Sequence, residues 1–261
     1  MRLSDGNYAV FIDIDGTLLG SNEKAFAQNI ETIQLLRNKG HKFFISTGRG
    51  TAFLTENLNV NENFDGVISG AGAVSKFGER ELFKNLMPLR LTEVFCEFVL
   101  ENNLPGVLEG QQYMYYFEPL EDIFNIHEKT FVKLDSDNIK DVITPDVPIE
   151  KFTIMGEIPK ELDEALGDEC LVIRHPSYGE IIQKNCGKGK ALLETIDVLG
   201  IPVERSIAIG DSMNDYDMLE AAGIAVAMGN ASEEIKKIAD IITDDVDSAG
   251  VATALIRIFS L

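Results

Sequence analysis

Four short segments hold the residues whose types and spacing could do chemistry. The first is Asp13-Ile14-Asp15-Gly16-Thr17, which follows an apolar run from Tyr8 to Ile12. Such a run, bounded by Gly and polar residues, reads as a buried parallel strand. Strand side chains alternate, so Asp13 and Asp15 leave on the same side at the end where open α/β sheets bind ligands. Paired acids repel unless a cation or a proton relieves them. The chemistry this suggests is one carboxylate as nucleophile and one as acid/base, with a backbone amide at Gly16 receiving an oxyanion. The competing reading is two surface acids at an Asp-Gly turn.

The second segment, Gly210-Asp211-Ser212-Met213-Asn214-Asp215, again sets acids directly after an apolar strand. Carboxylate and carbonyl oxygens suit a hard cation, and Mg²⁺ takes one or two carboxylates plus phosphate and water. The same residues could serve as helix caps, and both roles can coexist. Third is Ser46-Thr47-Gly48-Arg49, where a hydroxyl and a loop amide match a phosphoryl oxygen, or simply form a turn. Fourth is Lys188, in Gly187-Lys188-Gly189-Lys190. Lysines are mostly solvated, but flanking glycines and a place just before a helix single this one out.

Elements must carry these segments. Helical spacing of Phe26, Ile30, Ile33 and Leu36, with strands at Lys42–Ile45 and Gly66–Ser69, gives a β-α-β-α-β rhythm and hence a parallel sheet with right-handed crossovers. The rhythm returns with a helix over 190–199, strands at 206–210, 224–228 and 241–243, and a closing helix over 251–259. Between about 83 and 186 the texture changes to hairpins (105–109 with 113–117, 170–174 with 180–183), a strand at 151–155 and helices over 91–102, 119–129 and 160–166. That is an α+β unit inserted into an α/β domain. Tyr113, Tyr115, Tyr116 and Phe117 read as one of its strands rather than as a ligand platform.

Composition narrows the function classes. The 261 residues include 43 acidic and 23 basic side chains, a net charge of −20 that repels nucleic acid and anionic membranes. An anionic substrate would then need a metal or a placed Lys. Cys96, Cys170 and Cys186 form no C-x-x-C pair and read as free thiols of a reducing compartment. The three histidines share no zinc-ligand spacing, and neither a P-loop nor a G-x-G-x-x-G is present. The acids of 240–247 read as a solvated edge. With no apolar leader after Met1 and no 18-residue apolar run, a cytoplasmic enzyme is expected.

Taken together, Asp13-Ile-Asp-Gly-Thr-Leu18, Ser46-Thr-Gly-Arg49, Lys188 and Gly210-Asp-Ser-Met-Asn-Asp215 resemble the four signature motifs of the haloacid dehalogenase (HAD) superfamily of phosphatases. The resemblance is closest to its Cof-type sugar-phosphatase branch and extends to Val226-Ala-Met-Gly-Asn-Ala231 and Ala249-Gly-Val251. It implies a Rossmann-like three-layer core with a parallel sheet, over 1–83 and 186–261, and an inserted α+β cap over 84–185. It further implies that Asp13 attacks phosphorus to form an aspartyl-phosphate, while Asp15 protonates the leaving alcohol and then deprotonates water. Mg²⁺ (magnesium) would be held by Asp13, the Asp15 carbonyl and Asp211, supported by Asp215. Gly16, Thr47, Gly48, Lys188 and Asn214 would hold the phosphate. One departure is visible: Ala71-Gly72-Ala73 stands where the branch commonly has Asn-Gly-Ala.

The expected activity is Mg²⁺-dependent hydrolysis of small phosphorylated metabolites, sugar phosphates first, by a monomer or weak homodimer without nucleic-acid or membrane partners. A phosphotransferase or phosphosugar mutase, and a non-catalytic phosphosugar-binding protein, are the alternatives.

Overall fold

The computed structural model describes residues 6–54, 58, 60–118, 120 and 130–261. The chain divides into two compact units. The first comprises Met1–Gly48, Glu56–Phe83 and Gly187–Leu261, the second Arg49–Thr55 and Lys84–Cys186. The helix expected over 119–129 lies outside the described residues.

The first unit begins with β1 (Ala9–Ile12), all four residues buried. Helix α1 (Glu23–Asn38) starts at Asn22, whose side chain accepts the Lys24 N–H, and buries Ala25, Asn29, Thr32, Ile33 and Leu36 on one stripe. Strand β2 (Lys42–Ser46), a short α2 (Val60–Asn63) and β3 (Gly66–Ser69) follow. Two strands not anticipated from the sequence, β4 (Val74–Phe77) and β5 (Arg80–Lys84), then widen the sheet. The turn before β4 reverses direction because Gly70, Ala71 and Gly72 all take positive φ (57°, 54° and 97°), so β4 runs antiparallel to β3.

The second unit supplies α3 (Leu89–Glu101), β6 (Gly106–Gly110), β7 (Met114–Phe117), β8 (Phe131–Leu134), β9 (Ile149–Met155), α4 (Lys160–Leu166), β10 (Cys170–Arg174) and β11 (Tyr178–Gln183). The chain returns to the first unit with α5 (Lys188–Leu199), β12 (Ser206–Gly210), α6 (Tyr216–Ala221), β13 (Ile224–Ala227), α7 (Glu233–Ile238), β14 (Ile241–Ile242) and α8 (Gly250–Phe259).

The sheet of the first unit has the order β14-β13-β12-β1-β2-β3-β4-β5. Strand pairs from β14 to β3 are parallel, with β1 between β12 and β2. Its central strands β13, β12 and β1 are accordingly near-continuous hydrophobics, as strands buried on both faces require. Phe11 and Phe44 stack at 5.0 Å within the sheet. Asn29 of α1 accepts the Ala252 N–H of α8 at 2.9 Å, which joins those two helices.

In the second unit the order is β10-β11-β9-β6-β7-β8, antiparallel except for the β7–β8 pair. Both expected hairpins, β6–β7 and β10–β11, are present. Helices α3 and α4 pack on one sheet face through Phe95, Val99, Leu162 and Leu166 against Leu108, Phe152, Ile154 and Ile181. Alternation places Lys151 and Thr153 on the other face. There Lys151 Nζ, almost fully buried, lies 3.1 Å from Glu109 Oε1 and also bonds Glu180. Thr153 donates to Glu109 at 2.7 Å, and His175 bonds Glu180 at 3.1 Å. Burial alone would raise the Glu180 carboxyl, but Lys151 and His175 outweigh it and hold it down at about 2.

The segment Arg49–Thr55 is held to this unit by Glu109 and by Glu150. Glu109 Oε2 accepts the Gly50 N–H at 2.9 Å, and Glu150 accepts the Thr51 N–H and hydroxyl at 3.0 and 2.5 Å. Lys151→Met should strand Glu109 and Glu180 without their cation. Breaking a buried pair costs about 3–5 kcal/mol, so thermal unfolding should begin roughly 10 °C lower. An unchanged melting temperature would show that the network carries no net stability.

Candidate active site

The site is built at the carboxyl ends of the central parallel strands of the first unit. Ile12 is in register with Ile209 and with Ile45, so the residues after β1, β12 and β2 emerge side by side. The Asp13 N–H continues the ladder to the Ile209 carbonyl at 3.1 Å, and the Thr47 N–H to Ile68 at 2.9 Å. Asp13 is 4% exposed, Asp215 is fully buried, and Lys188 of α5 reaches between them. Lys188 Nζ lies 2.6 Å from Asp13 Oδ1, 2.6 Å from Asp215 Oδ1 and 3.3 Å from Asn214 Oδ1. Carboxylate oxygens of Asp13, Asp211 and Asp215 all fall within 4.8 Å of one another.

Local chemistry explains why these side chains stay in place. Ser212 and Asp215 form a capping box, and Asp215 Oδ2 accepts the N–H groups of Asp211 and Ser212 at 3.1 and 3.2 Å. Asn214 Oδ1 accepts from the Ser212 hydroxyl at 2.9 Å. Thr17 donates its hydroxyl to Asp211 Oδ1 at 2.9 Å. The cap reading and the ligand reading of 211–215 therefore hold together: Asp215 caps with one oxygen and meets Lys188 with the other.

Gly16 is at the site, but its N–H is committed to the Leu19 carbonyl at 3.1 Å rather than turned toward an oxyanion. What it contributes is shape. Its φ is +83°, and a Cβ there would sit 2.5 Å from Asp211 Oδ2. Asn230 fixes the peptide from the far side, donating to the Gly16 carbonyl at 2.8 Å while accepting the Val246 N–H at 2.9 Å. Thr47 is 1% exposed, and its carbonyl accepts the Ala71 N–H at 3.0 Å. The left-handed turn at 70–72 thus also supports the Thr47-Gly48 loop. Asp15 differs from Asp13 in being exposed, with its carboxylate outside the Asp13–Asp211–Asp215 group.

Three carboxylates face one ammonium, and burial with this deficit of positive charge registers at Asp13 and Asp211. Burial, with repulsion from Asp215, pushes Asp13 up to about 8 against the pull of Lys188. Burial likewise lifts Asp211 to about 6, although the Thr17 hydroxyl opposes it. Burial opposes the Lys188 charge, but the two aspartates overcome it and raise its pKa well above an ordinary lysine's. An all-oxygen donor set that is short of cation fits a hard divalent ion.

Sequence reasoning left Thr17 and Asn230 without a role, whereas Ser212 takes a cap role of the kind expected for its segment. Thr17 and Asn230 stand inside recognisable motifs, but their partners lie almost two hundred residues or more away in the chain. Of the acids in 240–247, Asp240 accepts the Ala225 N–H, and exposed Asp247 accepts from Ser21 and Asn22 before α1. They hold loops at a solvated edge.

Comparison with known proteins gives the family. A family model described as haloacid dehalogenase-like hydrolase matches residues 10–255. The 5-amino-6-(5-phospho-D-ribitylamino)uracil phosphatase YitU of Bacillus subtilis is 30% identical, over 97% of this chain and 98% of its own. The pyridoxal phosphate phosphatase YbhA of Escherichia coli is 25% identical, over 93% and 95%. Among solved structures, a haloacid dehalogenase-like hydrolase from Bacteroides thetaiotaomicron superposes with a TM-score of 0.85 at 28% identity, covering 97% of this chain and all of that one. The HAD subclass IIB sugar phosphatase BT4131 superposes at 0.79 and 26% identity, covering 97% and 99%.

The chain belongs to the haloacid dehalogenase-like hydrolases. Within them it is a phosphatase of the Cof type. No helix among the described residues is long and apolar enough to cross a membrane.

Proposed function

We propose that this phosphatase hydrolyses phosphomonoesters of small metabolites, with sugar and polyol phosphates as the preferred class. The observation that carries the reading is the buried Asp13–Lys188–Asp215 contact beside Asp211. It brings a carboxylate that could act as nucleophile, an ammonium that could bind phosphate and a cluster of carboxylate oxygens short of positive charge to one point. The names of the relatives extend the range from a sugar phosphatase to a phosphoribityl compound and pyridoxal phosphate. The second unit is proposed as the cap that selects the leaving group.

In the proposed reaction an Asp13 carboxylate oxygen bonds to phosphorus while the bond from phosphorus to the substrate alcohol breaks. Asp15 gives that alcohol its proton. Water then attacks the acyl phosphate, giving its proton to Asp15 and releasing inorganic phosphate and the Asp13 carboxylate. Lys188, Thr47, the Gly48 amide and Asn214 hold the phosphoryl oxygens. Asp13, Asp211 and Asp215, with the Asp15 carbonyl, would hold Mg²⁺, which when bound keeps Asp13 ionised near neutral pH and offsets phosphoryl charge.

The test is phosphate release from p-nitrophenyl phosphate and from a panel of sugar, ribityl and pyridoxal phosphates, with Mg²⁺ and with chelator. Release with Mg²⁺ is expected. Absence of release from every ester would overturn the reading.

Stability supplies a second expectation. Asp13 sits near 8 in the metal-free fold against 3.8 ordinarily, so between those values the native state holds a proton that the unfolded chain has given up. Metal-free stability should therefore fall as pH rises from about 4 to 8 through this group. Mg²⁺ competes with that proton, so its stabilisation should grow over the same window. At a hundredfold excess over its dissociation constant, about 2.7 kcal/mol or roughly 5–10 °C is expected. Scanning calorimetry with and without Mg²⁺ at pH 5 and 8 reads this directly, and equal shifts at both would contradict it.

A further inference from the structure

Lys188 is framed by glycines, and the phosphatase chemistry gives no reason for them. Gly187 occupies the N-cap position of α5, has φ 167° and brings no side chain to the first turn. The hydrogen bond that a Ser or Asp N-cap would make comes instead from another element: Asp217 Oδ2 of α6 accepts the Gly189 N–H at 2.9 Å. Both glycines are what allow this approach. A Cβ on Gly187 would lie 2.6 Å from Asp217 Oδ2, and one on Gly189 would lie 2.2 Å from the Asp217 carbonyl oxygen. From a third direction Gly72 presses on the same spot, since a Cβ there would sit 2.4 Å from the Gly187 carbonyl oxygen.

The backbone carrying Lys188 is thus clamped immediately before and after that residue. Its side chain then spans a fixed distance to Asp13 and Asp215, both at 2.6 Å. A long, flexible lysine keeps such bonds only if its backbone is held. We propose that Asp217 is a positioning residue for Lys188, acting through the first turn of α5 to fix where the ammonium meets the phosphoryl group. This rests on the phosphatase reading above. Asp217 itself is exposed, so its removal should cost the fold little while releasing the turn.

The experiment compares Asp217→Ala and Asp217→Asn with the wild-type chain on p-nitrophenyl phosphate with Mg²⁺, with inorganic phosphate as competitive inhibitor. A misplacement of this kind should lower kcat/KM about 10–100-fold and raise the phosphate inhibition constant by a similar factor. The melting temperature should fall by only about 2–4 °C, the usual effect of losing one cap. Asp217→Asn keeps an acceptor oxygen in place and should stay within about threefold of wild type, because the bond rather than the charge is required.

If the Ala variant does not fold, Asp217→Glu carries the same test, since one added methylene moves the oxygen and should also reduce kcat/KM. Unchanged kinetics at 25 °C in the Ala or Glu variant, or an Asn variant as impaired as Ala, would overturn the proposal. An inactive wild type that also fails to bind phosphate would instead overturn the phosphatase reading, and this inference with it.

Discussion

Asp13→Asn is expected to remove at least about 10⁴-fold of turnover on any phosphomonoester, the scale on which losing a covalent nucleophile acts. The amide is nearly isosteric and its oxygen can still accept from Lys188, so the geometry of the cluster should survive. What disappears is the electron pair that attacks phosphorus. The same substitution removes a buried carboxylate that the fold holds uncomfortably, pushed up by burial and by Asp215. Metal-free Asp13→Asn at pH 8 should therefore melt no lower than wild type. Loss of activity with retained or increased stability is the signature of a site kept for chemistry at some cost to the fold. Turnover at the wild-type rate would refute the nucleophile assignment, whereas a collapsed melting temperature would refute the account of its burial.

Lys188→Met should do the opposite to stability. Lys188 is 1% exposed and is the ammonium between Asp13 and Asp215. Above about pH 8, where Asp13 is ionised, its loss leaves buried carboxylates facing one another with no counter-charge, a situation that costs about 3–5 kcal/mol. For a chain of this size that is roughly 10 °C or more of melting temperature in metal-free buffer. Mg²⁺ should recover part of the loss, because it supplies charge to the same oxygens. It should not recover the activity, which is expected to fall by about 10²–10³-fold as the main cationic contact to the phosphoryl group goes. Arg is expected to be a poor substitute, since its planar fork is bulkier than the compact ammonium that fits between two oxygens at 2.6 Å. Melting curves of both variants with and without Mg²⁺ check the argument, and it fails if the methionine variant melts with wild type.

The sequence displays the strands on which this site depends because they are buried on both faces. Runs such as Tyr8–Ile12 and Ser206–Gly210 can be read without knowing their neighbours, and the acids at their ends then stand out. What it conceals is whatever depends on a distant partner. Strand β4 is four ordinary residues whose direction is set by three left-handed residues before it, one of them an alanine. Strand β8, which pairs parallel to β7, was not anticipated from the sequence. The passage of Arg49–Thr55 into the second unit follows from Glu109 and Glu150, about sixty and a hundred positions further on. Gly16 illustrates the same limit at the site: its place in the motif was legible, but the local bond that takes its N–H away from the phosphate was not. Asp217 showed no pattern at all until α5 and α6 were seen together.

The position of β1 between β12 and β2 also constrains how the protein comes into being. Ala9 pairs with Ser206 on one side, so the strand that leads into Asp13 is made long before its neighbour exists. At ribosomal speeds of about 5–20 residues per second, the wait is on the order of 10–40 s. During it the nascent chain must keep an uncovered, strongly apolar strand edge from pairing with another molecule. Prematurely terminated chains that stop before residue 206 would keep that edge permanently, and would be left to chaperones and proteases rather than to folding.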